Sequence, residues 1–159
     1  MKWMYAVAVI VLVVGYSCTT NQNHDQKKMN AFGLDYTKAW NSQKPEQVAA
    51  FFEEGGTLIV NKGEPIKSRS AITDFAKGFM TAFPDMELTM DSLIKKNSSY
   101  NYYWTFRGTN KGPGGFGSKV IFSGFEQWTM GSGGLIQMSL GTFDVDDYNR
   151  QVKGNSRNE

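Results

Sequence analysis

Cysteine and histidine each occur once in the 159 residues, so the chain can close no internal disulfide and offers no Cys/His metal site. Charge is sparse and balanced. The 17 Lys+Arg and 15 Asp+Glu leave a formal net charge of +2, too weak and too evenly spread for a surface that grips a polyanion, which sets nucleic acid aside as a partner. Long apolar runs are missing as well. The most extended, Met4 to Val14, falls well below the roughly 20 residues that cross a ~30 Å hydrocarbon core. What the chain does have is 40% hydrophobic and 14% aromatic residues with only 20% charged. That composition argues against intrinsic disorder and for a large apolar interior in one small domain.

The N-terminus departs from the rest. Met1-Lys2-Trp3, the apolar run and Gly15-Tyr16-Ser17-Cys18 have the flanks of a secretory signal peptide, placed at residues 1–17. The only cysteine follows small residues at the end of that run and resembles the lipobox of bacterial lipoproteins, which implies Cys18 as the lipidated residue. Acyl chains contribute ~0.8 kcal/mol per buried CH₂, enough with two or three chains to hold a domain at a membrane surface in the cell envelope. An ordinary cleaved secretory protein with a free thiol and an uncleaved anchor are the plainer alternatives. Residues 18–28, with Asn21, Gln22, Asn23, His24, Asp25 and Gln26, lack apolar periodicity and read as a solvated tether. His24 is therefore a poor catalyst.

The domain proper reads as residues 29–152. Met29, Phe32, Tyr36, Ala39 and Trp40 recur at the spacing of one helix face. Pro45-Glu46 opens a second helix through Phe52, and Gly55-Gly56 is expected to stop it. Thr57 to Val60 is a short strand, and Ser70 offers an N-cap to a third helix carrying Ile72, Phe75, Phe79 and Phe83 on one side. After Asp85 the period changes to two. Met86 to Ile94, Tyr100 to Thr109, Lys119 to Met130 and Leu135 to Phe143 read as four strands whose short loops make neighbours antiparallel. The expected class is α+β, helices first and a meandering sheet second. Val145 to Val152 adds a last helical turn, and residues 153–159 read as a frayed, disordered tail. Gly112 to Gly117 lacks the ending and context of a phosphate loop and reads as a turn.

This order is similar to the cone-shaped fold of nuclear-transport-factor-2-like proteins, and particular residues sharpen the likeness to the SnoaL-like polyketide cyclase and ester cyclase branch. Ala39-Trp40-Asn41, Phe51-Phe52-Glu53-Glu54-Gly55-Gly56, Ser68-Arg69-Ser70-Ala71-Ile72, Phe83-Pro84-Asp85, Trp104 to Gly112 and Phe143-Asp144 with Tyr148 and Arg150-Gln151 resemble that family's motifs in their order. Ser68 stands where glycine is usual. Asn110 replaces the histidine of the Gly-Thr-His turn, and Leu140-Gly141 stands where many members carry a Trp-Asp pair. The resemblance implies no cofactor, and a sheet face through which the fold often forms a homodimer.

In the strand from Tyr100, residues Tyr102, Trp104, Phe106 and Asn110 share one face. The resemblance turns that face into the cone, giving an aromatic-walled site for a small hydrophobic ligand; the alternative is a solid core of the same rings. The next strand presents either Ser123, Phe125 and Gln127 or Phe122, Glu126 and Trp128 inward, and parity alone does not choose. Analogy favours Gln127. The ligand-binding candidates are Trp40, Tyr102, Trp104, Phe106, Asn110 and Gln127. Asp144 is the candidate catalytic base, with a helix cap as its structural alternative. Two functions follow: a lipid-tethered binding domain without aldol-cyclase chemistry, or a cyclase- or isomerase-type enzyme using a carboxylate base. An ionisable group on the pocket floor would speak for chemistry, and a floor of rings and amides for binding.

Overall fold

The computed structural model describes residues 8–113 and 117–154. Its elements are α1 (Ala8–Asn41), α2 (Pro45–Ala49), β1 (Phe52–Val60), β2 (Ile66–Lys67), α3 (Arg69–Ala82), β3 (Glu87–Lys96), β4 (Ser99–Asn110), β5 (Ser118–Met130), β6 (Ile136–Phe143) and α4 (Val145–Gly154). The α+β class stands. Six strands form one sheet in the order β2-β1-β6-β5-β4-β3, antiparallel throughout except for the parallel β1–β6 pair. Register shifts leave one extra residue in β3, at Asp91, and one in β6, at Gln137, and bend those strands away from a flat ribbon. The signal-peptide segment lies partly outside the described residues, as do residues 114–116 of the glycine turn and 155–159 of the tail.

Three local expectations are corrected. The stretch before Met29 is helical rather than a loose tether: no proline or glycine interrupts residues 19–28, and Gln26 Nε2 donates to Asn30 Oδ1 (2.9 Å) and to the Leu93 carbonyl (2.8 Å), tying the helix to β3. His24, Asp25, Lys27 and Lys28 are exposed, so solvation and helix coexist there. Gly55-Gly56 does not stop α2, which already ends at Ala49, but lies inside β1. A Cβ on Gly56 would stand 3.1 Å from the Ile136 carbonyl oxygen, so the glycine permits the close approach at the β1–β6 irregularity between Phe52 and Thr57. The cap of α3 is Ser68 rather than Ser70, its Oγ accepting from Ala71 N at 3.4 Å. Its φ of +83° is one that glycine adopts freely, which agrees with serine replacing the family's usual glycine there.

Two side-chain amides lock helices to strands by imitating a neighbouring backbone. Asn41, the last residue of α1, donates to the Leu88 carbonyl (2.8 Å) and accepts from Leu88 N (2.7 Å) on the edge strand β3. Gln151 of α4 does the same to Ile121 of β5, at 2.7 Å in both directions, beyond the point where β6 stops pairing. Each satisfies polar groups a sheet edge would leave open. Asp85, one residue past the helix-ending Pro84, accepts from Thr109 N (2.8 Å) and Thr109 Oγ1 (2.6 Å), and these bonds hold its carboxyl below the ordinary range. The end of β4 is thereby fixed against the α3–β3 turn.

The core fills the angle between helices and sheet. Tyr36, fully buried on the predicted face of α1, packs edge-on against Trp40, Phe51, Phe52, Tyr102 and Trp128. Tyr102 stacks on Trp128 at 4.7 Å, so the deep end of the cone is solid.

Candidate functional site

Toward the other end the packing opens. A cavity of about 80 Å³ lies between α1, α3 and the inner face of β1, β3, β4, β5 and β6. That is room for several waters or part of a small organic ring system. Its walls are the rings of Trp40, Phe75, Phe79, Trp104, Phe106, Phe122 and Phe143, closed by aliphatic side chains including Leu58, Val60 and Leu88. The half-exposed Val60, Phe75 and Phe143 and the exposed Thr142 mark its rim.

One ionisable side chain belongs to this wall, Glu126. Its Oε2 accepts from Ser139 Oγ (2.7 Å), Trp128 Nε1 (2.9 Å) and the Tyr36 hydroxyl (3.2 Å), while Oε1 receives only a long 3.4 Å contact from Tyr36. Burial pushes the Glu126 carboxyl above the usual carboxylate range, against the opposing effect of its three donors. Tyr36 is driven well above the usual phenol range by burial and then by the neighbouring Glu126. Burial likewise raises Tyr102, whose hydroxyl lies 2.7 Å from Thr37 Oγ1.

Two donors in the wall remain unpaired. The indole N–H groups of Trp40 and Trp104 are buried without a hydrogen-bond partner, in side chains only 7% and 9% exposed. Trp40 Nε1 lies near enough to the Tyr36 hydroxyl to favour its ionised form without reaching hydrogen-bond geometry. An unpaired buried donor costs about 1–3 kcal/mol, which a ligand acceptor would return.

The predicted site residues divide. Trp40, Trp104 and Phe106 line the cavity. Tyr102 shares their face but is spent in the solid core. Asn110 shares it too, yet its amide donates to the Tyr148 hydroxyl (3.0 Å) and its Oδ1 accepts from Gly112 N (3.0 Å), so it builds the turn and anchors α4. Gln127 is a correction: it lies on the opposite face and donates to Ser99 Oγ at 3.3 Å. Register is the reason. Phe122, Gly124 and Glu126 sit directly across from Phe106, Trp104 and Tyr102, and paired residues point to the same side of a sheet. Asp144 is the second correction: exposed, outside the cavity wall, it caps α4 by accepting from Asp147 N at 2.9 Å. Glu126 stands in the parity of β5 that the sequence leaves open and that the analogy favouring Gln127 does not choose; the structure turns it inward. Its signal is a lone acid in the apolar parity of Val120, Phe122 and Trp128. Among the described residues no group of three His, Cys, Asp or Glu side chains converges as a metal cage requires.

Solved structures share this architecture at low identity. A protein of ketosteroid isomerase-like fold from Catenulispora acidiphila, crystallised with trimethylamine, superposes with a TM-score of 0.66 at 12% identity, covering 75% of this chain and 89% of its own. A phenazine biosynthesis-related protein from Pseudomonas aeruginosa gives 0.62 at 13%, covering 77% and 90%. The epoxide hydrolase/cyclase-like enzyme of pyran-ring formation in the polyether salinomycin gives 0.64 at 16%, covering 79% and 95%. No curated protein matches the chain. The family model for SnoaL-like polyketide cyclase matches residues 31–135, from the buried face of α1 to the start of β6, and the chain belongs to that family.

Proposed function

We propose that this SnoaL-like domain binds a small, largely apolar molecule in its aromatic cavity, without aldol-cyclase chemistry, and that a lipid on Cys18 holds it at a membrane surface. The observation that carries the binding reading is the ring-lined cavity itself, whose wall includes Trp40 and Trp104, residues with buried, unpartnered indole N–H groups. Such a site rewards a flat apolar body bearing one or two hydrogen-bond acceptors. Positions that could exchange protons in relatives are inert in this chain: Asn110 holds a turn, Gly141 has no side chain, and Asp144 caps a helix. One observation favours the second reading, an enzyme with a carboxylate base, namely Glu126 in the wall, although its Oε2 is already committed to three donors.

Gly141 gives the direct test of the cavity. A Cβ there meets nothing closer than 3.6 Å, so Gly141→Ala should change stability by less than about 0.5 kcal/mol. Gly141→Leu should extend into the cavity and abolish binding of a neutral aromatic such as acetophenone, followed by shifts of the tryptophan indole resonances, while the protein stays folded. Unchanged binding in the folded Leu variant would remove the cavity from the function.

The tether is tested separately. No helix among the described residues is long and apolar enough to cross a membrane, and Cys18 lies within α1 as the chain's only thiol. In cells fed a palmitate analogue the protein should take up label, and Cys18→Ala should lose both label and membrane association. Equal labelling of the mutant would refute lipidation at Cys18.

A further inference from the structure

We propose that Glu126 is the polar anchor of the cavity and that it selects neutral carbonyl compounds, its Oε1–H donating to the ligand's carbonyl oxygen. The inference rests on the binding reading above and deepens it. Its first support is the asymmetry of the carboxyl group. Oε2 carries three protein donors, so a proton on Glu126 resides on Oε1, whose only neighbour within hydrogen-bond range among the described residues is Tyr36 at 3.4 Å. That contact is too long to hold the proton well. An acceptor brought by a ligand at a normal distance would take it.

The second support is space. Gly141 lies directly across from Glu126 in the β5–β6 ladder, and a Cβ on Gly141 would be 3.7 Å from Glu126 Cγ. The absent side chain leaves room beside the acid, and Gly141 itself belongs to the cavity wall.

The third is the charge of the surroundings. Among the described residues Glu126 is the only charged one in the wall. The titratable groups that face it are Tyr36 from α1 and Tyr102 from β4, both raised by burial and neutral in ordinary buffers, while its own strand supplies Trp128 and β6 supplies Ser139. With no cation present, an anionic ligand gains nothing here. A neutral ligand meets no opposing charge, and the buried indole N–H groups of Trp40 and Trp104 in the same wall have no partner within the protein. The carboxyl's preference for its acid form, caused by burial, agrees with a donor role.

The test compares acetophenone with α-methylstyrene, which has the same shape but a CH₂ in place of the carbonyl oxygen. Affinities for the full-length protein would be taken from tryptophan indole shifts between pH 4 and pH 9. Wild type should bind acetophenone about ten-fold more tightly in acid. That preference should shrink as pH rises through the Glu126 titration, whereas α-methylstyrene should bind equally throughout. Glu126→Gln, whose amide also donates, should keep the preference at every pH. Should this variant fail to fold, the wild-type pH series decides alone. Equal binding of the two probes, or a ketone preference that grows with pH, overturns the role of Glu126 and leaves the cavity reading intact. Failure of both probes to bind overturns that reading and this inference with it.

Discussion

Glu126→Ala is expected to lower folding stability by about 3–5 kcal/mol, because it strands the Tyr36 hydroxyl, Trp128 Nε1 and Ser139 Oγ as buried groups without a shared acceptor. Glu126→Gln keeps an acceptor in place and should cost less than half as much. The two variants also separate in their pH dependence. Burial raises the carboxyl in the folded protein above the ordinary carboxylate range of the unfolded chain, so the folded state holds its proton through a window in which the unfolded chain has released it. The stabilisation is therefore complete below the ordinary range and is lost as pH rises through the raised folded value. Urea midpoints across that window should fall with rising pH in wild type, by an increment missing from Glu126→Gln. A loss under 1 kcal/mol in the alanine variant, or the same slope in the glutamine variant, would contradict this account.

Gly124→Val is expected to destabilise the domain by about 1–3 kcal/mol and to close the cavity at once. Gly124 faces Trp104 across the β4–β5 ladder. A Cβ at this position would lie 2.5 Å from the Thr142 carbonyl oxygen and 2.6 Å from Trp104 Cζ2. The first obstacle is backbone of the neighbouring strand and gives little; the second is a cavity wall and can only move inward. Thermal unfolding and acetophenone titration should both register the change, with Gly124→Ala affected in the same direction and less severely. The contrast with Gly141, whose added Cβ has ordinary contacts, separates a glycine demanded by packing from one that leaves space beside an acid. A Gly124→Val protein with wild-type stability and affinity would show that Trp104 does not bound the cavity.

The buried carboxyl and the unpaired indoles bear on the two functional readings in different ways. Proton transfer needs heavy atoms within about 3 Å of the reacting carbon or oxygen. Glu126 has only one oxygen free for that. In the binding role proposed above, one hydrogen bond donated by that oxygen suffices to orient a ketone or ester between aromatic walls. Asn110 illustrates the reverse case: a residue placed on the correct face by strand alternation and then consumed by Tyr148 and the Gly112 turn.

The sequence by itself determined the order of the elements, the four long strands after Asp85 and the residues that share each strand face, because alternation and helical spacing are local properties of consecutive side chains. Alternation put Trp104 and Phe106 on one face of β4, and the family resemblance, not the pattern alone, turned that face toward Trp40. Helix limits near Ser68 and Gly55-Gly56 were less legible, since serine can cap from either of two positions and paired glycines fit a bulge as well as a stop. Tertiary structure alone decided which parity of β5 faces the cone. That choice depends on register with β4, where Glu126 meets Tyr102 and Gln127 meets Asn101, and a slip of one residue would exchange the two. It likewise decided that Asp144 caps α4 and that Glu126 collects three donors from three separate elements. Those donors are 90, 2 and 13 residues from Glu126 in sequence, so only the packed sheet and helix bring them to one carboxyl group.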